Sequence, residues 1–420
     1  MECRNQSAWG KQVINGLIKF LIGGFLLLAV WGVFTPPFGP SQRGIETLEK
    51  IGVPAALTVA WIVVLVRIVL GGLLVTSAIK NLQAIHRAKR TGAGKIRPLF
   101  IYKALRQSTK RIAPVLGLLV LAPWVGEYLL GNIPLGILVA LPFLVPLYGG
   151  GALLIREVTR RTSRGWPTIV LLGVAYGVIE AGLVDQSLFN QTFTDVPSLG
   201  VTPIPSLGIS AYNAMAFIVG HAIWSISIPI AIVEMLTPRR RTTPWLGNVG
   251  LALTGLLYLL GCWIIFQDLQ VTEEFLATPA QMIGAGTVAL ALIVTAFFFE
   301  KRPKDADGWV PKPWILGTGT FVWINAFFLR PESWAGVLFG AVFLLAGALV
   351  LFRLSRRREW SVRHEFALVA GTLPTYIFAG FVLTSLIRPQ DTLAWIGNVI
   401  FALVAIGLLI ATGNRVRKLE

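Results

Sequence analysis

The sequence predicts an all-α, polytopic integral membrane protein with about 12 transmembrane helices and both termini cytoplasmic. Three observations predict it. First, of 420 residues 55% are hydrophobic and 14% charged, where a soluble domain carries about a quarter charged residues; the mean hydropathy is +0.71. Second, apolar runs of the roughly 20 residues that cross a bilayer recur along the whole chain. Third, Lys and Arg concentrate in alternate gaps between those runs, the pattern of basic loops kept on the cytoplasmic side.

The expected spans are 13–34, 54–79, 112–130, 135–156, 167–189, 210–236, 247–266, 279–299, 313–329, 334–353, 366–387 and 392–411. The first is too long for a signal-peptide core. It runs into Thr35-Pro36-Pro37 without a small-residue cleavage site, and so reads as a retained anchor. Odd-numbered gaps hold only Arg43, Lys50, Arg330 and Arg388 as basic residues. Even-numbered gaps hold runs such as Arg160, Arg161 and Arg164, then Arg239, Arg240 and Arg241, then Arg356, Arg357 and Arg358. The gap at 80–111 is the longest basic one, and its second half reads as a basic amphipathic segment on the inner leaflet. This divides the chain into a two-helix unit (1–95), a basic interfacial segment (96–111), a four-helix module with buried polar residues (112–236) and a six-helix module (237–420). Gly173, Gly177 and Ala181 share a helix face, with Gly149-Gly150-Gly151 and the Gly336/Gly340 pair elsewhere; such faces let helices approach closely. Pro142, Pro146 and Pro229 fall inside spans and are expected to kink them.

The formal net charge of +17 would suggest nucleic acid in a soluble protein. Here the basic residues are spread over loops, so the expected partners are the bilayer and anionic inner-leaflet lipids, with no nucleic acid. Arg exceeds Lys, which with the loop pattern points to a bacterial plasma membrane. Cys3 and Cys262 form no metal-binding or disulfide pattern.

Ionisable residues inside a membrane are costly and mark candidate sites. The deep ones are Arg67, Glu127, Glu180, Asp185 and His221. At 1.5 Å rise per residue, Glu127, Glu180 and His221 fall between the midplane and the outer third. Tyr176 and Glu180 share one helix face, and Asn213, Phe217, His221 and Ser225 another. Asp185, five residues past Glu180, need not join them. The candidate site is therefore Glu127, Glu180, Asp185 and His221, with Arg67 a possible charge partner of Glu127. Nearer the inner interface, Glu157 and Arg161 are an i, i+4 pair, and Glu234 precedes Arg239–Arg241.

Tyr176-Gly177-Val178-Ile179-Glu180-Ala181 and Phe217-Ile218-Val219-Gly220-His221 resemble two motifs of the CPBP (Abi-type) intramembrane protease family, Glu-Glu-x-x-x-Arg and Phe-x-x-x-His. The resemblance implies Glu180 as the first glutamate and His221 as the motif histidine of a degenerate metalloprotease; Ala181 stands in place of the second glutamate and Asp185 in place of the arginine. Zinc at such a site needs three protein ligands and a water: His221, Glu180, and Glu127 or Asp185. The segment 112–236 also resembles uncharacterised bacterial polytopic membrane proteins. Three readings remain open for the cluster: a structural polar network, a site for proton- or ion-coupled transport, and a metal-assisted hydrolase. The expectation is a transporter or ion-coupled membrane protein rather than an enzyme, with no cofactor. The alternatives are the metalloprotease and a non-catalytic assembly partner. The substrate, whether a small molecule, an ion or a peptide, is not readable.

Overall fold

The computed structural model describes residues 100–193, 200–299 and 307–419, with side chains from Ile112 onward. Arg67 and the first two expected spans lie outside these residues. The chain divides into two compact units, 1–107 and 108–420.

Ten helical segments follow one another among the described residues. α1 is Phe100–Pro123, continued by a π-helical turn, Trp124–Tyr128. α2 is Leu135–Arg161, α3 Trp166–Val184 and α4 Ala211–Leu236. A two-residue hairpin, β1 Pro203–Ile204 with β2 Ile209–Ser210, precedes α4. Then come α5 Asn248–Thr272, α6 Pro279–Ala296, α7 Pro313–Phe328, α8 Trp334–Leu354, α9 Val362–Ile387 and α10 Thr392–Arg417. Eight of them (α2–α6 and α8–α10) are long and apolar enough to cross a membrane; Ile112–Tyr128 is a shorter apolar helix. The all-α membrane architecture is therefore the one the composition predicts.

Helix starts follow local chemistry. Pro279 and Pro313 open α6 and α7, where a missing N–H costs nothing. Ser210, Thr278, Ser333 and Asp391 accept a backbone N–H at the starts of α4, α6, α8 and α10.

Burial separates centre from periphery. Within their most apolar stretches, α3 is 67% buried and α4 56%, against 11% for α5 and α8. The core is built mainly on Leu118, Val125, Tyr128, Leu147, Leu153, Trp224, Ile226 and Ile230, so α1–α4 supply most of it. Leu256, Leu259 and Trp263 on α5 and Leu338, Val342 and Leu345 on α8 are exposed. Apolar surface of that extent fits lipid rather than water.

The loops gather at two ends. Arg388 donates to Gly131 O, Asn190 to Glu273 and Tyr212 to Arg330 O at one end. At the other, Trp245 N–H donates to Glu157, Arg164 to Phe297 O and Arg241 to Glu365. The second end carries the basic runs at 160–164, 239–241 and 356–358, and among the described residues the first has only Arg330 and Arg388. The second end is the basic end.

The small residues act as contacts. A Cβ on Gly177 would sit 2.8 Å from Ile218 O, and one on Gly149 would sit 2.2 Å from Leu119 O. These two positions bring α3 against α4 and α2 against α1 at backbone distance. Gly149→Ala is expected to destabilise the unit by about 1–3 kcal/mol, since the obstacle is backbone that cannot swing aside; thermal unfolding in detergent measures it.

Candidate functional site

The structure brings three of the sequence-derived candidates together and adds a fourth residue that links them. Tyr148 Oη on α2 lies 2.6 Å from Glu127 Oε1 of α1 and 3.1 Å from Glu180 Oε1 of α3. Glu180 Oε2 lies 2.9 Å from His221 Nε2 of α4. His221 Nδ1 lies 2.8 Å from Phe217 O. At the other end, Asn132, exposed in the loop after α1, donates to Glu127 Oε2 at 2.6 Å. The result is a continuous polar chain, Asn132–Glu127–Tyr148–Glu180–His221, crossing four helices. Glu127, Tyr148 and Glu180 are at most 7% exposed, whereas the His221 side chain is 15% exposed.

All four central residues stand in π-helical turns: Glu127 in Trp124–Tyr128, Tyr148 in Val145–Gly149, Glu180 in Glu180–Val184 and His221 in His221–Ser227. A π turn inserts a residue into the α ladder and re-aims the side chains around it, and such turns recur at functional sites. Prolines account for three of them. Pro123 precedes the first, Pro146 lies in the second, and Pro229 follows the last; a residue without an N–H interrupts the i→i−4 ladder there. The kinks expected at Pro146 and Pro229 thus take the form of widened turns. The turn at Glu180 has no proline.

Two of these turns touch: a Cβ on Gly126 would fall 2.6 Å from Ser225 Oγ. The turn holding Tyr148 is gripped from both sides, by Leu119 O against Gly149 and by Gly261 of α5 against the Leu147 backbone. The site is therefore fixed by backbone packing as well as by its own polar contacts.

The hydrogen positions follow from the partners. Phe217 O only accepts, so Nδ1 carries a proton. The 2.9 Å approach of Nε2 to Glu180 Oε2 requires a proton on one of those two atoms. The contact is an ion pair when His221 is protonated and Glu180 ionised. Tyr148 has one proton and faces two carboxyl oxygens; an arrangement in which it donates to one carboxyl group and accepts from the other requires a proton on either Glu127 or Glu180. With an imidazolium at His221, one carboxylate and one carboxylic acid, the chain is neutral. With a neutral imidazole and two carboxylic acids it is neutral again. A zero net charge is what an apolar interior demands. Moving one proton from Glu127 to Tyr148, and the Tyr148 proton to Glu180, converts one neutral arrangement into another with the heavy atoms in place.

The Asp185 side chain has no direct hydrogen bond to the chain among the described residues, although it lies close enough to Glu180 and His221 for their charges to interact. Asp185 ends the π turn at Glu180: its N–H donates to Glu180 O, and its carboxylate accepts from Ser187 N at 2.9 Å. Tyr148 and Asn132 were missed in the sequence. The available signals were the proline-broken segment around Pro146 and the polar residue closing the loop after Glu127. Among the described residues no group of three His, Cys, Asp or Glu is placed to hold a metal.

At the basic end Glu234 takes two hydrogen bonds from Arg160, 2.8 and 2.6 Å, and one from Arg156 at 3.0 Å. The chain turns after Leu236 into a 3-10 turn, Pro238–Arg240, while Arg156 and Arg160 project from one face of α2. Glu157 accepts from Arg156 at 2.6 Å and from the N–H groups of Trp245 and Leu246, and forms the expected i, i+4 ion pair with Arg161 at 3.9 Å. Two arginines balance two glutamates in a buried clamp.

A family model matches residues 116–417, and that family is an uncharacterized membrane protein family. The chain belongs to it. The family unit begins within α1, ends with α10 and contains all four central residues of the polar chain. No curated protein and no solved structure matches. The protein is thus a multi-pass membrane protein whose family segment holds the candidate site; the resemblance to intramembrane proteases over 176–221 rests on those residues alone.

Proposed function

We propose that the protein handles protons in the membrane, as a transporter or ion-coupled protein whose Glu127–Tyr148–Glu180–His221 chain takes up, passes on and releases a proton. The observation that carries this reading is the chain itself: two carboxyl groups share one tyrosine hydroxyl, so a proton moves between them without charge separation. Carboxylates and histidine inside a bilayer are the usual parts of proton relays. One end of the chain reaches the surface at Asn132, and the other is partly open at His221. We place the protein in a bacterial plasma membrane with the basic end cytoplasmic, next to anionic lipid, on the strength of its basic loops. The metalloprotease alternative draws less support, because Tyr148 occupies the approach between Glu127 and Glu180 and, among the described residues, no third ligand joins Glu180 and His221.

The test is proton flux in liposomes carrying the full chain and an internal pH dye, under an imposed pH gradient. Wild type is expected to dissipate the gradient, and Glu180→Gln to leave it standing with unchanged thermal stability. Equal flux in the two proteins removes the reading.

A further inference from the structure

The loop that closes the Glu127 end of the polar chain lies against helices from the far end of the sequence. Asn132 is attached to Glu127 twice: Nδ2 donates to Oε2 at 2.6 Å, and the backbone N–H donates to Glu127 O at 3.0 Å. Gly131 before it has φ +77°, a left-handed conformation that glycine adopts without steric cost. Its backbone meets α9 directly. A Cβ on Gly131 would lie 2.7 Å from Gly380 O, and one on Gly380 would lie 2.6 Å from Leu129 O. Two glycines thus face each other with no side chain between them.

α9 and α10 fasten this contact. Asn398 of α10 is buried, and its Nδ2 donates to Gly380 O at 3.0 Å and to Thr384 Oγ1 at 2.8 Å. Next to it, Gly397 admits the other side of the loop: a Cβ there would come within 2.7 Å of Leu135 Cβ. One turn on, the Phe401 ring stands edge-to-face with Trp124 and Tyr128, in the π turn that holds Glu127. Arg388, at the end of α9, donates to Gly131 O at 3.3 Å. Asn132 itself is exposed, so water competes for its amide. A hydrogen bond of this kind tolerates only about 2.7–3.2 Å, and the backbone seat is what keeps the amide within that reach of Glu127.

We propose that Gly380 is a positioning residue for the polar chain: it seats the Gly131 turn so that Asn132 meets Glu127, and Asn398 holds the seat in place. The inference rests on the proton-handling reading for its role in flux, though not for the seat itself. A methyl group on Gly380 would meet a backbone carbonyl oxygen, so the turn must move where a side chain could have swung aside. Asn132 then leaves Glu127 Oε2, while Tyr148 keeps Oε1. α9 and α10 contribute no residue to the Asn132–Glu127–Tyr148–Glu180–His221 chain, yet they set the surroundings of its first carboxyl group.

The test is a double-mutant cycle on the full chain in liposomes, with Gly380→Ala, Asn132→Ala and the two together. It reads proton flux and the infrared band of the Glu127 carboxyl group, whether C=O or carboxylate stretch, identified by its loss in Glu127→Gln. Asn132→Ala is expected to shift the band and to lower flux by on the order of 10–100-fold, the cost of a misplaced group. Gly380→Ala should do the same, and the pair should go no further than either alone, as residues acting through one contact do. An unshifted band in folded Gly380→Ala or Asn132→Ala protein overturns the inference. So does a Gly380→Ala shift that adds in full to that of Asn132→Ala. Should Gly380→Ala not fold, Arg388→Met withdraws the other hold on the Gly131 turn, and an unshifted band there overturns the inference equally. A wild-type protein that moves no protons, yet shows the coupled band shifts, keeps the seat and ends the relay reading.

Discussion

Tyr148→Phe is expected to lower proton flux by about 100-fold or more, the scale on which a positioned proton-transfer group acts, while leaving the protein folded. The substitution keeps the ring, and with it the packing against Tyr176 and His221. It removes the one atom that touches both carboxyl groups, at 2.6 and 3.1 Å. Glu127 keeps Asn132 as a donor, and Glu180 keeps His221. The stability loss should stay near that of a single buried hydrogen bond, about 1–3 kcal/mol. A purely structural network would give the reverse: a comparable loss of stability and no change in flux. Measuring both quantities on one preparation separates the two roles.

Arg156→Met is expected to be the most destabilising single change in the clamp, by about 3–5 kcal/mol, the cost of breaking a buried ion pair by removing one partner. Arg156 is fully buried. It donates to Glu234, to Glu157 and to the carbonyls of Arg240 and Arg241, and its guanidinium lies 3.5 Å over the Trp245 ring. Removing it leaves Glu234 with Arg160, and Glu157 with Arg161 at 3.9 Å and the N–H groups of Trp245 and Leu246. Arg156→Lys should also destabilise, because a lysine reproduces the charge but not the planar fork or the stacking. Thermal unfolding of both variants in detergent measures the effect. A loss confined to Met, with Lys behaving as wild type, would mean that charge alone matters there.

The fold was legible because a bilayer imposes few solutions: backbone groups in lipid must be satisfied internally, so long apolar runs become helices. Every expected span from 112 to 411 contains a helix, and the loops rich in arginine meet at one end. The candidate site was legible in part for the same reason. Glu127, Glu180 and His221 stood out as charges in apolar runs, and the cost of burying them apart drives them together. What stayed hidden depends on register. Tyr148 is one of seven tyrosines, and nothing in its spacing marks it until a π turn aims it between two carboxyl groups. Glu234 precedes Arg239–Arg241 along the chain, whereas Arg156 and Arg160, which bond it, lie on another helix. Helical periodicity finds a face, but a turn widened at Pro146 or Pro229 shifts that face, and only the three-dimensional packing records the shift.

The central claim is that the chain stores a shared proton on a carboxyl group at neutral pH. Infrared spectroscopy of the reconstituted protein, compared with Glu127→Gln and Glu180→Gln, tests it most directly. Wild type should show the C=O stretch of a protonated carboxylic acid, moved by deuterium exchange and altered in both variants, since Tyr148 couples the two groups. A spectrum with both carboxyl groups fully ionised at neutral pH, identical in this region to the two variants, would contradict it.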